Sequence, residues 1–160
     1  MSEPSSHDKS DNILAETNDA SVTVVQNAFI VPPSRRSKQL MSVNDEAGLP
    51  VRDAVTTAKH AVHFPRYLSE KERSGVEFDM GSYLFCGFYF PHFGHFILES
   101  LSRLWAYEAY KDQIDGLIFL RDSRKIPDPN VYQEIFDLLG VTHPIKFVQS
   151  PLQCAKLIVP

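Results

Sequence analysis

The sequence predicts an α/β layered domain built on a mostly parallel sheet. Three observations carry this. Apolar runs of strand length recur through residues 21–160. From Ser82 onward they alternate with amphipathic, helix-forming stretches. The connections are short, and strand–helix–strand–helix–strand in series is the pattern of a parallel sheet covered by helices.

Residues 1–20 read as a disordered acidic tail, poor in large apolar groups. Five carboxylates stand there against Lys9, which accounts for the net charge of −4. The remainder is near neutral, which argues against a nucleic-acid binder. The domain proper is expected over 21–160.

"SVTVVQNAFIVP" (Ser21–Pro32) is β-branched and ends at a Pro-Pro pair, so it predicts a strand. "PSRRSKQLMSVNDEAGLP" predicts a loop whose cluster of Arg35, Arg36 and Lys38 is a solvated turn. "AVHFPRYL" (Ala61–Leu68) predicts a short extended piece, because Pro65 disfavours helix before it. "SYLFCGFYF" (Ser82–Phe90) is an aromatic strand.

"HFILESLSRLWAYEAY" follows with neither Pro nor Gly and predicts a helix over His95–Tyr110. At about 100° per residue, Ile97, Leu98, Leu101, Leu104 and Trp105 share a core-facing side. His95, Glu99, Ser102 and Arg103 fall opposite. "GLIFLR" (Gly116–Arg121) is a buried strand. "NVYQEIFDLLG" is a compact helix capped by Asn130 and stopped by Gly140, with Val131, Ile135, Leu138 and Leu139 on one face. "PIKFVQS" and "AKLIVP" are further strands. The sequence stops just after the last of them, with one face of a parallel sheet unaccounted for, which predicts an incomplete domain.

Cys86 and Cys154 form no C-x-x-C pair, which excludes a zinc ribbon or thioredoxin-like motif. Cys86 lies in an apolar run and reads as a small core residue. The first 20 residues are not a signal peptide, and no apolar run approaches the roughly 18 residues of a membrane span. A soluble cytoplasmic protein is the expectation.

The chemistry gathers in "FYFPHFGHFILESLSRLWAYEAY", Phe88–Tyr110. His92, His95, Glu99 and Arg103 stand three or four residues apart, within reach on one helical stripe. The stripe starts at a strand–loop–helix junction, where α/β proteins place ligands. Gly94 permits close backbone approach, and Phe93 offers an apolar surface. A histidine there serves as general base, with Glu99 to orient it and Arg103 to hold an anion. The bland alternative is a solvated face whose Glu–Arg pair contributes about 0.3 kcal/mol. A third reading takes His92, His95 and Glu99 as metal ligands, although the spacing is not H-E-x-x-H and no fourth ligand is evident. No metal is therefore expected. There is no G-x-G-x-x-G or P-loop.

"GSYLFCGFYFPHFGHFILESLSRLWA" resembles the N-terminal signature of glycosyltransferase family 61, in particular its bacterial capsular-polysaccharide members. The matching positions are Gly94, His95, Phe96, Glu99, Arg103, Leu104 and Trp105. His92 stands where the family often has Asn. The resemblance covers about Gly81 to Pro160. It implies inverting transfer of a sugar from a nucleotide-sugar donor to a glycan hydroxyl in surface polysaccharide synthesis, with no tightly bound cofactor. It also implies that these residues are the Rossmann-like N-terminal half of a GT-B fold. In that reading His95, His92 and Glu99 are catalytic, and Gly94, Phe93 and Arg103 bind substrate. Family members run to several hundred residues, so the expectation is a fragment, inactive alone and short of a C-terminal half. A non-catalytic glycan-binding or interaction module is the alternative.

Overall fold

A computed structural model describes residues 21–33, 41–54, 57–58, 61–62, 66–121 and 131–160. The predicted tail, the Arg35–Arg36–Lys38 cluster and the Asn130 cap lie outside the described residues.

The strands are β1 (Thr23–Val31), β2 (Ser42–Asn44), β3 (Thr57–Ala58), β4 (Ala61–Val62), β5 (Glu77–Phe88), β6 (Gly116–Leu120), β7 (Ile145–Val148) and β8 (Leu152–Val159). Six form one mixed sheet in the order β2-β1-β8-β5-β6-β7, and β3 and β4 pair separately. β8, β5, β6 and β7 run parallel, while β1 is antiparallel to both β2 and β8. The parallel half agrees with the sequence reading. The antiparallel edge adds β2, which lies inside a stretch read as loop.

Alternation along the strands builds two cores. Leu117 and Phe119 face one side with Leu84, Cys86 and Ile158. Ile118 and Leu120 face the other with Phe85, Leu157 and Val159. The first side is covered by the helical connections of β5–β6 and β6–β7. The second, for which the sequence supplied no cover, is covered by the sheet itself.

The reason is a crease. Only Gln149–Pro151 separate β7 from β8, so Val148 and Leu152 stand at most about 14 Å apart. Yet β8 lies three places away from β7, and its first residue is level with Glu77 at the start of β5, whereas Val148 is level with Leu120 and Phe88 at the end of β5. A flat sheet cannot meet both conditions. Three neighbouring strands break register at one level. Asn27 in β1 takes φ 50°, between the pairs Gln26–Lys156 and Ala28–Cys154. The β5–β8 register shifts between Asp79 and Ser82. The sheet folds along this line, and Val148 of one edge joins Val43 of the other in a single core.

Helix α1 (Glu70–Arg73) opens on a capping box in which the Ser69 hydroxyl accepts from the Glu72 N–H and the Glu72 carboxylate accepts from the Ser69 N–H. The Ser-x-x-Glu signature was there to be read in the sequence. Glu72 also accepts from Arg66, and these bonds hold its pKa down at about 2. Helix α4 (Gln133–Leu138) ends at Gly140, whose φ of 69° fits the predicted stop. Its predicted apolar face is corrected. Phe136 is buried, whereas Val131, Leu138 and Leu139 are exposed.

Candidate functional site

The segment after β5 is helical, as expected, but it is not one α-helix. Helix α2 (Phe93–His95) passes into a π turn (Phe96–Ser100), then a 3-10 stretch (Leu101–Ala106), helix α3 (Tyr107–Tyr110) and a final 3-10 turn (Lys111–Gln113). A π turn closes on i→i+5 bonds and carries an extra residue, so it rotates everything downstream relative to a uniform helix. Here Leu101 N–H donates to the Phe96 carbonyl.

The rotation overturns the predicted core face. Phe96, Ser100, Ala106 and Tyr107 are the buried residues. Leu98 is 75% exposed and Trp105 48%, so the predicted inner stripe faces largely outward. Leu101 and Leu104 are half-buried against the helix-side core. What holds the segment this way round is aromatic. Phe96 stacks on Tyr132 with centroids 3.8 Å apart and meets Tyr89 and Phe136 edge-on. Full burial of such a ring is worth about 1.5–3 kcal/mol.

A bulge in β5 aligns the strand with this segment. The β5–β6 register shifts between Phe85 and Phe88, and Gly87 takes φ 75°. A side chain at Gly87 would be strained by that φ and would crowd Arg103 Nε at 3.3 Å. The buried Ser100 hydroxyl donates to the Phe88 carbonyl at 2.6 Å, tying the π turn to the bulged strand end.

His95 and Glu99 meet as the spacing predicted, with Nδ1 2.6 Å from Oε1. Both are half-buried, with side chains 32% and 17% exposed. The carboxylate accepts from Nδ1–H, and in the neutral imidazole this arrangement puts the lone pair on Nε2. Glu99 Oε2 is buried and has no hydrogen-bond partner among the described residues. His92 is exposed, its ring 5.4 Å from that of His95, and the Phe90 ring lies 5.4 Å from His95 on centroids. Phe93 is 59% exposed beside Tyr132. Gly94 follows with an ordinary φ, and a side chain there would meet only the His92 ring at 3.6 Å.

Arg103 is placed differently from the expectation that it would face the ligand with His95. Its guanidinium donates to the carbonyls of Pro160 at 2.8 Å and Asp53 at 3.0 Å, and lies over the Phe85 ring. Burial lowers its pKa. These contacts join the helical segment to the end of β8 and to the turn at Arg52–Ala54. Spacing alone could not anticipate carbonyl partners 50 and 57 residues away.

A second polar cluster escaped the sequence reading. Asp79 Oδ1 accepts from Gly81 N–H at 2.7 Å, and Oδ2 accepts from the Tyr83 hydroxyl at 2.8 Å and from Lys146 Nζ. Burial pushes the Asp79 carboxyl up, but these three donors outweigh it and hold it below the usual range. The cysteines are free and buried, and burial pushes Cys154 up to about 12. No helix among the described residues is long and apolar enough to cross a membrane. Compared with known proteins, the chain matches no family model, no curated protein and no solved structure.

Proposed function

We propose that the chain is a glycosyltransferase module in which His95 is the general base and Glu99 its orienting partner. The observation that carries the reading is the 2.6 Å contact between Nδ1 and Oε1 beside a strand bulge, with the other carboxylate oxygen buried and unpaired. A buried charge with an unmet bond costs about 1–3 kcal/mol, and such costs persist most often at functional sites. The resemblance to glycosyltransferase family 61 supplies the reaction class and the Rossmann-like, GT-B framework. Parallel β5 and β6 joined by a helical connection, with the dyad just past the C-terminal end of β5, suit that framework.

In this mechanism Nε2 of His95 takes the proton of the acceptor hydroxyl as its oxygen attacks the anomeric carbon of a nucleotide sugar. The bond to the diphosphate breaks and its electron pair leaves with the nucleotide, inverting the centre. Glu99 stabilises the imidazolium that forms. Exposed Phe93 and His92 offer a flat surface against which a sugar ring packs. The same surface favours, as a second reading, a module that binds glycan without turnover. Incubating the full gene product with a panel of nucleotide sugars and glycan acceptors separates the two. Nucleotide release that His95→Ala abolishes supports transfer. Glycan binding with no release supports the second reading, and neither binding nor release refutes both.

A further inference from the structure

The helical segment after β5 presents a continuous outward row. Exposure recurs at Phe93, Leu98, Ser102, Trp105 and Glu108, at spacings of five, four, three and three residues. A uniform helix would not keep those positions on one side. The π turn at Phe96–Ser100 lengthens the repeat and the 3-10 stretch at Leu101–Ala106 shortens it to three, in the order the spacings require. The five positions therefore lie along one side of the segment. Ile97, also exposed, broadens the row beside Leu98.

The row begins at His92 and Phe93, the surface already assigned to a sugar ring, and passes His95, which lies one turn before Leu98. From Phe93 to Trp105 it spans roughly 18 Å at ~1.5 Å per residue, several sugar rings long. An exposed aromatic ring stands at each end, Phe93 and Trp105, with the Leu98 side chain and the Ser102 hydroxyl between them. Flat aromatic faces match the C–H faces of pyranose rings, and a hydroxyl pairs with sugar hydroxyls. No side chain of the row from Phe93 to Trp105 carries a formal charge, so an anionic chain would find no cation along it. A specific protein interface takes about 20–30 residues a side. The row offers five uncharged ones, Phe93, Ile97, Leu98, Ser102 and Trp105. Its narrow, neutral and aromatic-ended form suits an extended glycan.

We propose that this row is the acceptor track: a neutral oligosaccharide lies along it, with its reacting end at His95 and its remote sugars running on to stack against Trp105. The proposal rests on the glycan reading of the His95 site and adds the length and charge of the acceptor to it. Contacts remote from the reacting hydroxyl hold that hydroxyl in place, so turnover rises with acceptor length until the chain reaches Trp105.

Trp105 is the single tryptophan of the chain, so its fluorescence reads this place alone. The probes are neutral gluco-, manno-, galacto- and xylo-configured sugars, each as monosaccharide and linear hexasaccharide. They are titrated into the full chain while acrylamide quenches Trp105. At least one hexasaccharide is expected to shield Trp105 and shift its emission to the blue, while its monosaccharide leaves both unchanged. Leu98→Asp, at an exposed position and folded by circular dichroism, should weaken that shielding about tenfold. In the transfer assay Trp105→Ala should erase the gain in kcat/KM that the hexasaccharide shows over the monosaccharide. No shielding by any probe overturns the proposal, and nucleotide release in that case leaves the transferase reading standing. Shielding without release sinks transfer and keeps the track, now in a glycan-binding module. Monosaccharides that shield as well as hexasaccharides overturn the proposal. So does emission that shifts as the sugar-free chain is diluted, because a second copy then covers the row.

Discussion

Asp79 and Glu99 are both half-buried carboxylates beside a basic side chain, and they end up in opposite conditions. Asp79 has a donor for each oxygen: Gly81 N–H on one, the Tyr83 hydroxyl and Lys146 on the other. Glu99 has His95 on one oxygen and nothing among the described residues on the other. Asp79 sits at the crease, where β5 must bend and Lys146 reaches it from across the sheet. Its bonds hold the fold in that bend. Glu99 sits within a π turn and beside a bulge, two irregularities that cost stability and recur at functional sites. The difference teaches that satisfaction, more than burial or charge, separates the structural carboxylate from the functional candidate.

The largest expected effect tests the functional side of that contrast. His95→Ala should lower transfer by about 10²- to 10⁴-fold while the chain stays folded by circular dichroism. A folded variant with normal turnover removes His95 from the mechanism. Phe96→Ala should next cost about 3–5 kcal/mol in urea denaturation, since the ring is fully buried against three others. A loss below about 1 kcal/mol would restore the face that the periodicity predicted.

Asp79→Ala should destabilise by about 1–3 kcal/mol, because it strands Lys146 and the Tyr83 hydroxyl in partly buried positions. Glu99→Gln should leave stability nearly unchanged, since the amide oxygen still accepts from His95 and the carboxylate oxygen it replaces has no partner among the described residues. The contrast fails if the two carboxylates respond alike. The pH dependence has a definite sign. The folded pKa of Asp79 lies below its unfolded value, so its contribution is fully present above the ordinary aspartate range near pH ~4. That contribution is lost as pH falls through the folded pKa. Urea melts of wild type and Asp79→Asn should therefore converge on acidification; a gap that stays constant with pH refutes the linkage. The smallest effect is expected at Leu98→Ala, within about 0.5 kcal/mol for an exposed side chain.

Much of the architecture was legible. The strands at Thr23–Val31, Gly116–Leu120 and Ile145–Val148 lie inside the predicted runs, and Gly140 ends α4 as its composition suggested. The His95–Glu99 contact was also legible, because a spacing of four residues brings side chains together in an α-helix and keeps them together in a wider turn. Local periodicity is a property of the chain, and it needs no tertiary partner to be expressed.

Tertiary structure decided which way those elements face. Nothing in "HFILESLSRLWAYEAY" announces a π turn; it arises where Phe96 seats among Tyr89, Tyr132 and Phe136 and Ser100 reaches the Phe88 carbonyl. With Phe96 seated inward, Leu98 two residues on faces outward, and the added residue of the π turn then sends Trp105 outward and Arg103 towards Pro160. The crease was equally hidden, because it depends on Asn27, Ala155 and Gly81 falling at one level of three strands far apart in sequence. Spacing along a chain fixes which neighbours can touch. Packing against distant residues fixes which side of the chain they touch from.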